Sequence, residues 1–117
     1  MAKAKDILDL VQPDTQVVGI DAVQFFDEGV IAVCETLADQ GRRVIVAGLD
    51  QDYRGVPFPV TSQLMGVAEF VTKNLAICSV WGSPANRSQR LSRTKKLIEV
   101  GTGDKYEARC RACFRRG

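Results

Sequence analysis

Apolar residues recur along the chain in short blocks separated by turn residues, and the blocks follow two rhythms. Residues 2–11 place Ile7, Leu8, Leu10 and Val11 so as to offer one apolar face, which predicts a helix halted by Pro13-Asp14. Gln16-Val17-Val18-Gly19-Ile20-Asp21 is a continuous apolar run closed by an acid, a pattern that suits a buried parallel strand. Residues 27–40 return to helical spacing, with Val30, Ile31, Val33, Cys34 and Leu37 as the core stripe and Gly41 just past the end. Arg43-Val44-Ile45-Val46-Ala47-Gly48-Leu49-Asp50 repeats the strand pattern, again with an acid at its end. A loop rich in turn residues, 51–59, leads to a helix expected to begin near Thr61 or Ser62, either of which can cap it. Leu75-Ala76-Ile77-Cys78 reads as a third short strand.

Strands alternating with helices predict βαβ units and an α/β fold with a mainly parallel sheet. Ligands of such sheets sit at the carboxyl ends of the strands. Asp21 and Asp50 fall there, as do Gln24-Phe25-Phe26 and Asp52-Tyr53-Arg54. After Trp81 the texture turns polar and basic without long periodic segments, which predicts a small β-rich appendage. The expected division is a core over 1–76 and an appended domain over 77–117.

Composition adds limits. The 117 residues are 45% hydrophobic and 26% charged, values of an ordinary globular chain. No apolar run approaches the roughly 20 residues a membrane span requires, and no signal-peptide pattern opens the chain, so a cytoplasmic location is expected. Cys34, Cys78, Cys110 and Cys113 then point to metal or thiol chemistry rather than disulfides, with Cys34 read as core packing because it lies on the helix stripe. Ten of the sixteen Lys and Arg fall within residues 86–117, against three of the fourteen acids. Such a tail fits an anionic partner, or simply a solvated surface.

An acid closing an apolar strand, as Asp21 does, is also the form of a magnesium-holding carboxylate in phosphoryl transfer, although many parallel strands end in Asp for turn formation alone. Ile20-Asp21-Ala22-Val23-Gln24-Phe25-Phe26 resembles a signature of the zinc-containing cellular class of thymidine kinases. The resemblance continues in order through Arg43 to Asp50, Tyr53-Arg54-Gly55-Val56-Pro57-Phe58, Ala68-Glu69-Phe70-Val71-Thr72-Lys73, Cys78-Ser79-Val80, Gly82-Ser83-Pro84-Ala85 and Arg87-Ser88-Gln89-Arg90-Leu91. It closes with Val100-Gly101-Thr102-Gly103-Asp104-Lys105-Tyr106 and Glu107-Ala108-Arg109-Cys110-Arg111-Ala112-Cys113, so that it covers most of residues 16–113.

This resemblance implies a parallel sheet of the P-loop NTPase type with a small zinc-ribbon and lasso domain. It implies ATP-dependent transfer of the γ-phosphate to the 5′-hydroxyl of thymidine, with magnesium and a structural zinc. It also implies a homo-oligomer, a tetramer in the family. By position, Asp21 belongs to the magnesium site. Phe25, Leu49, Phe58 and Tyr106 match residues enclosing the thymine ring, although core packing is the ordinary reading of each. Gly101, Thr102 and Gly103 match a lasso loop whose backbone reads the base edge.

Three departures accompany the match. The family's general-base glutamate is replaced by Ala22, which has no proton acceptor. Cys110-Arg111-Ala112-Cys113 is a complete C-x₂-C knuckle, but the knuckle opening at Cys78 has Trp81 in place of its second cysteine. That leaves a three-cysteine site completed by water, weaker binding, or no zinc. No G-x-x-x-x-G-K-[ST] phosphate loop occurs in the 117 residues, so the expectation is a truncated core without the first strand and the phosphate cradle. The leading expectation is therefore a thymidine kinase piece without activity of its own. The alternatives are a catalytically dead nucleoside-binding or regulatory subunit and, disfavoured, a nucleic-acid-binding ribbon using Arg87, Arg90, Arg93, Lys95, Lys96, Arg109 and Arg111.

Overall fold

The computed structural model describes residues 2–91 and 106–115. The chain divides into two compact units, one of residues 1–50 and 58–69, the other of residues 51–57 and 70–117.

The first unit is α/β. Helix α1 (Lys5–Leu10) precedes strand β1 (Val17–Ile20), a 3₁₀ turn (Val23–Phe25), helix α2 (Gly29–Asp39), strand β2 (Arg43–Val46) and helix α3 (Pro59–Val67). The two strands are parallel, in the register Val17–Arg43, Val18–Val44, Gly19–Ile45 and Ile20–Val46. The period-2 rule then puts Val18, Ile20, Val44 and Val46 on one face, where they pack with Val30, Val33, Cys34 and Leu37 of α2 and with Val60 and Leu64 of α3. Val17 and Ile45, on the opposite face, are exposed. Parallel strands are normally covered on both faces, so this surface is suited to further packing.

Val30, Val33, Cys34 and Leu37 of the α2 stripe are buried as the spacing predicts, Ile31 is half-buried, and the helix stops where Gly41 takes a φ of 83°. The Gly41 N–H reaches the Ala38 carbonyl and the Arg42 N–H reaches that of Leu37, a closure open to a glycine in the left-handed region. Helix α3 begins earlier than expected. Pro59 occupies its first turn and no side chain caps it, because proline's fixed φ and missing N–H already suit that position.

Among the described residues, the second unit holds two antiparallel pairs. Strand β3 (Ala76–Ile77) pairs with β4 (Pro84–Ala85), and β5 (Arg87–Arg90) pairs with β6 (Tyr106–Arg109). The apolar run at 75–78 is thus one arm of a hairpin and not a third parallel strand; Ile77 is 74% exposed. Among the described residues, the buried apolar cluster of this unit is Cys78, Ala85 and Cys110, with Ala108 and Cys113 packed against it. Among the described residues, no helix is long and apolar enough to cross a membrane.

Candidate functional site

In the first unit the strand ends are tied together by backbone. Ala47 donates to the Ile20 carbonyl at 2.8 Å, and Val23 donates to the Ala47 carbonyl at 3.1 Å. The side chain of Gln24 extends this stitch by accepting the Leu49 N–H at 3.1 Å. Gly48 lies between them at a close approach: a Cβ there would fall 2.7 Å from Val23 Cγ1 and 2.8 Å from Gln24 Oε1. Phe58 N–H donates to the Asp50 carbonyl at 2.9 Å, which brings the start of α3 back to the same loop. Helix α3 also packs on the 3₁₀ turn. Asp21, Ala22, Phe25, Leu49 and Phe58 therefore all lie on connections at the carboxyl ends of β1 and β2.

Their exposure is that of a surface site. Asp21 is exposed, and one of its carboxylate oxygens accepts the Ala22 N–H at 2.8 Å. Phe25 and Leu49 are 38% and 52% exposed, and Phe58 is half-buried, so none of the three is simply core. An exposed strand-end carboxylate fits a magnesium ion, which takes one or two carboxylates beside substrate oxygens. The polyphosphate of ATP has no matching glycine-rich cradle in these 117 residues.

Ala22 carries a feature that its sequence context does not announce. Its φ of 52° and ψ of 45° place it in the left-handed region, alone in this respect among the described non-glycine residues. An L-residue pays roughly 1–2 kcal/mol for that conformation. The strain sits at the position matched to the general base, and strained backbone concentrates at functional sites.

In the second unit the Sγ atoms of Cys78, Cys110 and Cys113 lie within 4.8 Å of one another. Both knuckles close the same way, with Gly82 N–H on the Cys78 carbonyl and Phe114 N–H on that of Cys110, each at 2.9 Å. Position 81 is thereby the counterpart of Cys113. The Trp81 indole N–H donates to Cys110 Sγ at 3.1 Å. This contact draws the Cys110 thiol down to about 6 against the effect of burial, helped by the Cys113 backbone N–H and by the Cys113 and Cys78 side chains. Burial raises Cys78, but N–H groups of Cys110, Val80 and Trp81 and the Cys113 side chain outweigh it and lower the thiol. Cys113 is pushed up to about 11 by burial and by the adjoining Cys110 and Cys78 sulfurs. Three convergent sulfurs, those of Cys78 and Cys110 buried and that of Cys113 half-buried, fit a thiophilic ion such as zinc. Cys34 is buried in the first unit, where burial and then Glu35 raise its thiol, as befits a core residue.

Tyr106 belongs to the second unit. Its cross-strand partner Arg90 lies 5.9 Å from its ring and 4.3 Å from that of Tyr53. Gly101, Thr102 and Gly103, together with Arg93, Lys95 and Lys96, lie outside the described residues. Several described cations are engaged internally: Arg87 bonds Asn86 at 2.7 Å and Arg109 pairs with Glu107. Asp52, a residue without an assigned role in the sequence, is buried and holds Arg54 at 2.7 Å.

Residues 1–114 match the family model described as thymidine kinase. A thymidine kinase of Rhodothermus sp. (strain ITI 518) is 53% identical over 111 residues, which are 95% of this chain and 52% of that protein. A thymidine kinase of Bdellovibrio bacteriovorus is 50% identical over 112 residues, 96% of this chain and 55% of that protein. The chain spans about half the length of these curated relatives.

Proposed function

Because the chain belongs to the thymidine kinase family, we propose that it carries the nucleoside side of a thymidine-phosphorylating site. The observation behind this reading is the strand-end assembly, in which Gln24 fixes Leu49 while Phe25 and Phe58 are held nearby on their own connections. Apolar faces that are accessible yet anchored suit a flat, weakly polar base. In this reading Phe25, Leu49 and Phe58 face the thymine ring and Asp21 serves a magnesium ion. Tyr106 and the loop of Gly101, Thr102 and Gly103 are assigned to the same ligand by the resemblance alone.

The reaction of the whole enzyme is then ATP-dependent transfer of the γ-phosphate to the thymidine 5′-hydroxyl, giving dTMP. Magnesium would neutralise phosphate charge there. These 117 residues supply no phosphate loop, and Ala22 cannot accept the hydroxyl proton, a contribution of typically 10²–10⁴-fold. The chain therefore binds thymidine without phosphorylating it. Ala22 also supports a second reading, a nucleoside-binding or regulatory subunit that assembles with an active copy, in keeping with the family's tetramers.

Calorimetric titration with thymidine tests the proposal. Saturable heat that is lost in Phe58→Ala is the expected result, together with no dTMP formation when ATP and magnesium are added. Silence at millimolar thymidine would sink the binding reading, and clear turnover would sink the inactivity.

A further inference from the structure

The cysteine triad has two knuckles of matching backbone and unequal side chains. At the second, Cys110 and Cys113 both reach the centre. At the first, Cys78 reaches it alone, and the counterpart of Cys113 is Trp81. The backbone has a ligand-holding form at both knuckles: Gly82 N–H closes on the Cys78 carbonyl as Phe114 N–H closes on that of Cys110. Thiolates around one tetrahedral ion at metal–sulfur distances of about 2.3 Å lie about 3.8 Å apart, and the three sulfurs need only contract slightly to reach that spacing.

Trp81 cannot be the fourth ligand. The indole nitrogen lone pair belongs to the ring, and its hydrogen is directed to Cys110 Sγ at 3.1 Å. Nor is that corner sealed, since Trp81 is 66% exposed. The residue at the fourth corner is thus a surface side chain outside the packed cluster of Cys78, Ala85 and Cys110.

We propose that Cys78, Cys110 and Cys113 form a three-thiolate metal site whose fourth position, beside Trp81, is filled by water and exchanges for a small thiol. In the exchange the bound water leaves, the metal–sulfur bond forms, and the incoming thiol gives its proton to solvent; no oxidation state changes. Three protein ligands and a solvent-filled fourth position are the arrangement of reactive zinc centres, whereas purely structural ones are closed. The inference is independent of the nucleoside reading, because none of its residues is assigned to thymidine.

Cobalt(II) substitution in the full chain tests it, with a phosphine as the only reductant. The expected spectrum is tetrahedral with a sulfur-to-cobalt band of three thiolates, and the emission of Trp81, the one tryptophan in the chain, is quenched on binding. Adding 2-mercaptoethanol should raise that band to the four-thiolate level. Trp81→Cys should show the four-thiolate band from the start and ignore the added thiol. Trp81→Ala keeps the triad without the indole and should respond like the parent, which preserves the test if the cysteine variant folds poorly. A parent chain that binds no cobalt, or binds it with a band indifferent to the thiol, would overturn the proposal.

Discussion

The side-chain carbonyl of Gln24 accepts the backbone N–H of Leu49 at 3.1 Å, joining the turn after β1 to the loop after β2. One amide thereby positions two of the residues proposed to face the thymine ring, Phe25 next to it in the chain and Leu49 across the bond. Gly48 makes the approach possible, because a side chain there would run into Val23, which is 1% exposed and has no room to yield.

Two substitutions follow from this geometry. Gln24→Ala should cost about 1 kcal/mol in stability and, on the proposed reading, weaken thymidine binding, since Leu49 loses its tether. Gly48→Ala should cost about 1–3 kcal/mol, the range of overpacking a filled site. Urea unfolding of the two variants checks both; an unshifted midpoint for Gly48→Ala would show that the close approach is not real.

The left-handed backbone at Ala22 makes a prediction of opposite sign. Ala22→Gly should stabilise the chain by ~0.5–1 kcal/mol, the relief of strain less the entropy that glycine adds to the unfolded state. Ala22→Val should destabilise by at least about 1 kcal/mol, because branching at Cβ worsens the same clash. Ala22→Glu should leave stability within about 0.5 kcal/mol of the parent, since the strain is unchanged and the site is partly open. Thermal melts of the three variants give the order Gly above Ala and Glu, with Val lowest.

That strain was not legible in the sequence, and the reason is physical. Apolar rhythm reports which side chains face a core, and it located β1, β2 and the α2 stripe because their burial sets the pattern. It misplaced residues 75–78, where an apolar run serves a short exposed hairpin, since a run of four carries no period that tells the two apart. The capping hydroxyls of Thr61 and Ser62 suggest a later start for α3 than the one Pro59 sets in its first turn. The three cysteines could be grouped by spacing. The bond from Trp81 to Cys110 could not, because it joins residues 29 positions apart through a tertiary contact.

Asp52 gives the second unit a pH dependence. Burial raises its carboxyl, but the Arg54 side chain, the Arg54 and Val56 N–H groups and the Arg54 charge outweigh burial and hold it below its ordinary 3.8. A carboxyl depressed in the folded state contributes stability that is fully present above the unfolded value. That contribution is lost as pH falls below 3.8 and through the folded value. Asp52→Asn should remove this acid-side slope and lower stability at neutral pH by about 1–3 kcal/mol, as its charge-assisted bonds weaken. Melting temperatures between pH 2 and 7, about the span over which a carboxylate titrates, should converge for parent and variant at the acid end.

The two units should also differ in what a chelator does to them. The first has a core of aliphatic side chains, with Val23, Val30 and Leu37 almost wholly buried. Among the described residues the second buries Cys78, Ala85 and Cys110, and side chains of that size remove little apolar surface from water. Metal–thiolate bonds are a source of stability that adds to a described core of that size. Stripping zinc from the loaded chain should therefore abolish hydrogen-exchange protection at the Cys78, Ser79 and Gly82 amides, which bond Ser83, Ala108 and Cys78 carbonyls. The amides of α2 should keep theirs, because their packing does not involve the triad. Equal loss in both places would mean that the units unfold together, and unchanged protection in the second would mean that its thiols and hairpins hold without an ion.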